Sequence, residues 1–270
     1  MIFGLVSSTE AIYKNFSAAI PEKLGFTPNY NLRPGNEALF LSSAKATEFV
    51  SYRFGLTPFW AKGEKLLYEA PVEGNKPMQP GDILKCGIIL SPDFRKPIRE
   101  QRGLLPVDYF IVQNWQGKPY VVFMRDKKRP FAIGCVWDAW KKDILDPLIY
   151  GFAVLSTPAY GEFAKVGIMR MPVIITPYNY KRWLRTDAML NQVSELLDYY
   201  DEKMFNAYPI GDEILTNLDN EKTLIAPAGE LVIIDKKEEF IYQPHGHKAK
   251  KNDTEVKETL GEKMDKLKNG

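Results

Sequence analysis

Arg102-Gly103-Leu104-Leu105-Pro106-Val107-Asp108-Tyr109-Phe110, followed by Ile111-Val112, is the stretch on which the reading of this chain turns. Leu104–Leu105 and Phe110–Val112 are short apolar runs of strand type, bounded by residues that interrupt regular structure. More runs of the same kind lie on either side. Residues 38–43 and 48–54 read as paired strands across a short polar turn, and Tyr120–Met124 and Phe131–Val136 as further strands. Gln116-Gly117 suits the hairpin turn between the middle pair. Phe152–Leu155 and Val173–Ile175 are strand-like again, and Leu231–Ile234 with Phe240–Tyr242 reads as a late hairpin over Lys236-Lys237.

Helical signals are fewer. Ser7-Ser8-Thr9-Glu10 has a hydroxyl followed three residues later by Glu, the pattern of a capping box, and Ile12, Phe16, Ala19 and Ile20 then share one face up to Pro21. Asp187 opens a second helix with the stripe Leu190, Val193, Leu196, Leu197 and Tyr200. Residues 62–100, rich in Lys, Glu, Pro and Gly, read as a long irregular excursion. Many short strands with a few capped helices predict an α+β fold: one domain on a bent or barrel-like, mostly antiparallel sheet flanked by helices. That domain is expected over residues 1–245, with 246–270 a charged, disordered tail.

Composition narrows the function classes. Apolar residues make up 45% and aromatics 13% of the 270 residues, a globular composition. No run of about 18 apolar residues occurs, so no membrane span is expected, and the short apolar start lacks the basic residues of a signal peptide. Two cysteines, Cys86 and Cys135, make no disulfide framework, which points to a reduced, cytoplasmic setting. The tail from Gly246 holds seven lysines against five acids, and the remaining 245 residues balance at 29 basic and 29 acidic. A protein that binds mainly through phosphates usually carries a basic excess, so nucleic acid is neither supported nor excluded by charge. No phosphate loop, zinc spacing or nucleophile elbow is present, and His245-Gly246-His247 is too sparse for a metal site, so no cofactor or metal is expected.

Several segments, in order, carry a resemblance. Tyr30-Asn31-Leu32-Arg33-Pro34-Gly35, Arg53 through Lys62, Phe94-Arg95 with Pro97, Arg102 through Phe110, Phe131 through Trp137, and Arg170-Met171-Pro172 together resemble the SOS-response-associated peptidase (SRAP) family over roughly residues 1 to 225. The resemblance implies that family's fold, and it implies proteins that crosslink to abasic sites in single-stranded DNA. It also exposes departures. The family begins Met-Cys-Gly-Arg, and the freed Cys captures the abasic aldehyde through its thiol and amine; here the second residue is Ile2, which lacks a thiol and whose bulk disfavours removal of Met1. The family's Asn-Ala-Arg-x-Glu-Thr appears as Glu69-Ala70-Pro71-Val72-Glu73-Gly74. Its motif glutamate is Val112, and the histidine expected before Arg170 is missing at Gly167-Ile168-Met169.

Ile2, Glu69, Val112 and Ile168 therefore mark vacated catalytic positions, and no catalytic residue is assigned. The resemblance leaves Asn31, Trp60, Arg95, Arg102 and Arg170 as DNA-contact candidates, with Phe59 beside Trp60 as a stacking surface. Against this stand plainer roles: ion pairs within the fold for the arginines, including Arg53, core or lid packing for the aromatics, and a chain-shaping turn for Asn31. Three functions remain open. The first is non-covalent binding of single-stranded, abasic or junction DNA. The second is an enzyme, either an SRAP-type peptidase or lyase working through other groups or new chemistry built from Glu69, Glu73 and Asp108. The third is an interaction module whose old cleft is filled by Ile2, Val112 and Ile168. Oligomeric state is not legible.

Overall fold

Alternation of apolar and polar side chains dominates the chain, and strands dominate the computed structural model, which describes residues 1–74, 87–126, 129–197 and 202–233. The strands are β1 (Ile2–Leu5), β2 (Asn29–Leu32), β3 (Glu37–Ser42), β4 (Lys45–Phe54), β5 (Glu69–Pro71), β6 (Arg102–Val107) and β7 (Tyr109–Gln113). They continue as β8 (Pro119–Met124), β9 (Phe131–Trp140), β10 (Ile149–Pro158), β11 (Arg170–Pro172), β12 (Ile174–Ile175) and β13 (Phe205–Pro209). The helices are α1 (Thr9–Phe16), α2 (Pro97–Glu100), α3 (Gly161–Lys165), α4 (Tyr180–Leu184), α5 (Leu190–Ser194) and α6 (Glu213–Thr216).

Five strands close on themselves. β4 pairs β3, β3 pairs β6, β6 pairs β9 and β9 pairs β10, all antiparallel. β10 then returns to β4 in a short parallel ladder, Gly151 with Arg53 and Phe152 with Phe54. The result is a barrel, with β5 and β11 added along β10 and β12 along β9. A second, open sheet runs in the order β13-β8-β7-β1-β2. The α+β class with a barrel-like, mostly antiparallel sheet is thus the fold observed.

Closure depends on two glycines. A Cβ on Gly151 would lie 2.2 Å from the Gly55 carbonyl oxygen, so only Gly lets β10 reach the end of β4. A Cβ on Gly103 would lie 2.2 Å from the Phe40 ring. One face of the barrel strands carries Phe40, Phe54, Leu105, Cys135 and Phe152, packed in one cluster with Phe3, Phe110 and Val112 of the open sheet. The Phe40 and Phe152 rings stack at 4.8 Å, and Phe54 and Phe152 at 5.2 Å. The other face carries Leu41, Leu104, Val136 and Leu155, covered by Ile12 and Phe16 of α1 and Trp183 and Leu184 of α4. Period-two alternation in β6, β9 and β10 is what sends neighbours to opposite cores.

The structure revises several local expectations. Ser8, not Ser7, caps α1, accepting from Ala11 N at 3.3 Å. Ser7 instead donates to Asp108 Oδ1 at 2.5 Å, while Asp108 Oδ2 accepts from Val6 N and Ser7 N. α1 ends at Phe16 with Ser17 left-handed, so it does not run to Pro21, and Ala19 bridges Glu48 in extended form. The second predicted helix begins at Leu190 rather than Asp187, whose carboxylate grips Arg185 at 2.8 and 2.9 Å. The irregular excursion of 62–100 contains the edge strand β5 and the short α2. Met1–Ile233 forms a compact unit, and the boundary expected at residue 245 lies outside the described residues. Leu231–Ile233 forms no strand; Val232 N donates to Ala207 O beside β13, and Phe240–Tyr242, Cys86, the two histidines and the tail lie outside the described residues.

Candidate functional site

Arg170 is the best-connected candidate. Antiparallel pairing of β10 with β11 sets Arg170 opposite Pro158, and parallel pairing of β5 with β10 sets Pro71 opposite Ser156. Glu69, Glu73 and Ser156 thereby converge on one guanidinium. Arg170 Nε donates to Glu69 Oε1 at 2.6 Å and to Ser156 Oγ at 3.0 Å. Its two terminal nitrogens bind both oxygens of Glu73, and Nη2 also donates to Ser156 O at 3.0 Å. Ser156 Oγ donates in turn to Glu69 Oε1 at 2.5 Å. Burial lowers the proton affinity of Arg170, but its bonds to and the charges of Glu73 and Glu69 outweigh this, and its pKa is raised. The α-amine of Met1 belongs to the same neighbourhood: burial lowers its pKa, and the charge of Glu69 offsets part of that shift.

The other vacated positions are filled with hydrocarbon. Val112 and Ile168 are 5% and 2% exposed and share the cluster against which Met1 packs. Ile2 does not join them. It pairs with Ile111 and packs on the opposite face of β1, with Tyr109, Ile111 and Val121. The expected three-residue plug is therefore a pair plus the Met1 side chain. Nor does Asp108 join Glu69 and Glu73: it is fully buried at the β6–β7 corner, holding Val6 and Ser7, so that carboxylate trio is not assembled.

Two of the DNA-contact candidates are interior scaffolding. Arg102 is 0% exposed, and its donors lie on main-chain carbonyls: Nε on Trp183 O and Nη1 on Ile98 O, both at 2.8 Å, with Arg99 O and Arg185 O completing the set. It locks α2 and α4 to β6, and its burial keeps the guanidinium from the surface. Asn31 is 4% exposed; its Nδ2 donates to Asn217 O and Asp219 O, and its Oδ1 accepts from Arg33 Nε at 2.8 Å. Arg53 pairs with Glu64 at 2.7 Å.

Trp60 and Arg95 are brought together at the surface. Asp138, buried at the end of β9, accepts from Phe59 N at 2.9 Å, and Trp140 Nε1 donates to Ala61 O at 2.8 Å. The main chain of the loop is thus pinned while Phe59 and Trp60 remain 52% and 49% exposed. Lys96 Nζ stands 4.3 Å above the Phe59 ring, and Lys65 Nζ is 5.9 Å from the Trp60 ring and 2.8 Å from Asp93. These groups border a hollow of about 250 Å³ that Arg95 also lines. The Arg95 side chain has no partner among the described residues. Lys96 escaped the sequence reading, although a basic pair ahead of Pro97 was a visible signal; Ser156 gave none, because only long-range strand pairing brings it to Arg170. Among the described residues no group of His, Cys, Asp and Glu could hold a metal, and no helix is long and apolar enough to cross a membrane.

Residues 3–217 match the sequence profile of the SOS response associated peptidase, or SRAP. The chain belongs to the SRAP family. Within it, this SRAP chain is 28% identical over 234 residues to abasic site processing protein YoqW of Bacillus subtilis, covering 83% of this chain and 97% of that one. It is 26% identical over 205 residues to abasic site processing protein YoaM of the same organism, covering 74% and 85%. The SRAP fold is seen also in a crystal structure of a Bacteroides thetaiotaomicron protein, with TM-score 0.70 and 19% identity over 84% of this chain and 99% of that one. A Bordetella bronchiseptica protein gives TM-score 0.62 at 16% identity, covering 78% and 99%.

Proposed function

We propose that this protein binds single-stranded or damaged DNA, at abasic sites or junctions, in the DNA damage (SOS) response of the cytoplasm, and does so without covalent capture. The observation that carries the reading is the pinned loop presenting Phe59 and Trp60 beside Arg95 and Lys96. Exposed rings accept unpaired bases, and adjacent cations accept the backbone. Relatives named as abasic site processing proteins support the same substrate class. The non-covalent half rests on the vacated positions. Ile2 has no thiol, Val112 and Ile168 are buried hydrocarbon, and Arg170 is enclosed by carboxylates instead of facing a phosphate.

The test is fluorescence anisotropy with labelled single-stranded DNA, with and without an abasic site, at two salt concentrations, followed by a denaturing gel. Salt-sensitive binding with no surviving band is expected. A band that survives denaturation overturns the non-covalent half. Absence of binding overturns the DNA half and favours the second reading, an interaction module with a repacked cleft, for which the burial of Val112 and Ile168 speaks.

A further inference from the structure

A second pocket, on the open sheet, is used by nothing described above. It has a volume of about 320 Å³, within the range of small-ligand sites, roughly 300–1,000 Å³. Its walls are rings: Tyr30 from β2, Tyr109 from β7, Phe123 from β8 and Tyr208 from β13. Those rings are fixed in place. Tyr109 Oη donates to Tyr30 O at 2.9 Å, Tyr208 Oη donates to Ile225 O at 3.2 Å, and the Phe123 and Tyr208 centroids lie 5.7 Å apart.

Arg129 and Lys222 line the same pocket, and no carboxylate does. Neither cation forms an ion pair with a described residue. Asp108 and Glu221, the acids beside Tyr109 and Lys222 in the chain, are otherwise engaged: Asp108 holds Val6 and Ser7, and Glu221 accepts from Thr223 Oγ1 at 3.1 Å. Arg129 is close enough to the phenols of Tyr109 and Tyr208 to oppose the rise in pKa that burial imposes on both. Among the described residues neither cation meets a carboxylate, and both stand at the mouth of a wall of rings.

We propose that this pocket is a separate ligand site for a phosphomonoester carried on a planar ring, namely a nucleoside monophosphate, either free or as the 5′-phosphorylated end of a DNA strand. A phosphomonoester carries about −1.5 to −2 charges at neutral pH, which two cations match. The Arg129 fork suits two phosphate oxygens and Lys222 supplies a point charge, while the ring wall receives the base. The site stands independently of the DNA reading of Trp60 and Arg95.

The experiment is isothermal titration of the full chain with dAMP, with deoxyadenosine, inorganic phosphate and O-phosphotyrosine as comparison ligands. Arg129→Ala and Lys222→Ala, both at exposed positions, are each expected to weaken dAMP binding about tenfold or more, the scale of a lost charge-assisted bond. Arg95→Ala is expected to leave it unchanged, so failure at this site and failure at the Trp60 surface are told apart. A parallel titration with 5′-phosphorylated and 5′-hydroxyl oligonucleotides separates the two sources: an Arg129-dependent preference for the phosphorylated strand assigns the strand end, and binding of dAMP alone assigns the free nucleotide. The proposal is overturned if neither dAMP nor the phosphorylated strand saturates, if both substitutions leave affinity unchanged, or if deoxyadenosine or O-phosphotyrosine binds as well as dAMP.

Discussion

Arg170 Nε lies 2.6 Å from Glu69 Oε1, and the other end of the same guanidinium is held by Glu73. A cation on the face where the family's chemistry is expected is thereby neutralised from within. Two carboxylates against one guanidinium leave that patch with a negative balance, which works against a phosphate backbone.

Glu69→Gln and Glu73→Gln are therefore each expected to raise affinity for single-stranded DNA, and the double substitution more than either. The salt dependence should steepen by roughly one ion per cation released to the backbone, with a slope of about −0.7 per contact for single strands. Anisotropy titrations across a salt series measure both quantities. Unchanged affinity and slope in the double variant would mean that DNA does not reach Arg170.

Trp60→Ala is expected to weaken single-stranded DNA binding by about 1–3 kcal/mol, the range for one base stacked on an aromatic ring. With Trp60 half exposed, thermal stability should change little. Arg95→Ala should reduce the salt slope by about one while weakening all sequences alike. Anisotropy and thermal melts on the same preparations check the pair; a large loss of melting temperature with Trp60→Ala would assign that ring to packing.

Arg102 separates scaffold from interface. Replacing it with Ala or Met strands the carbonyls of Ile98 and Trp183 in the interior. A loss of about 3 kcal/mol or more is expected, since each buried orphan costs roughly 1–3 kcal/mol. Urea unfolding gives the number. DNA affinity of the folded fraction should stay as it is in the parent, in contrast to Arg95→Ala.

Alkaline pH should unfold the protein. Burial raises the phenol pKa values of Tyr109 and Tyr180, whose hydroxyls donate to Tyr30 O and Asn15 Oδ1, and those of Tyr52 and Tyr208 less strongly. A group whose folded pKa exceeds its unfolded value contributes stability that is complete below the unfolded pKa, here 10.0, and is lost as pH rises beyond it. Arg102, lowered to about 10 by burial, and Arg33, lowered by the same cause, act in the opposite sense over that range, two guanidiniums against four phenols. Denaturant midpoints should fall above about pH 10, and phenolate absorbance should appear together with unfolding. A phenolate signal that develops while the fold persists would contradict this.

The strands were legible because their alternation survives in the one-dimensional chain: 102–113, 119–124 and 131–140 each place small or aliphatic residues toward two different cores. Barrel closure was legible only as an alternative to a bent sheet; the joint that decides it, a parallel pairing beside Gly151 and Gly55 between segments nearly a hundred residues apart, was not. Helix limits failed where a hydroxyl had a stronger distant partner, as Ser7 does in Asp108. Among the candidates, Trp60 and Arg95 are at the surface on two separate segments, one after Pro58 and one between Pro92 and Pro97. Arg102 and Asn31 are equally polar in the sequence but are interior, since main-chain carbonyls, most of them far along the chain, claim their donors. Sequence reports the donor, and only the fold reports who accepts.

Arg102, Gly103 and Asp108 all serve the architecture: one threads carbonyls, one makes room for Phe40, and one clamps the first strand. The run that makes the chain look like its relatives is thus a record of construction, and Val112, where the resemblance leads one to expect a glutamate, packs in the core beside it. A homology search anchored on this run tests for the frame and not for the chemistry, so activity should be transferred only after the second residue and the residue at position 112 have been inspected.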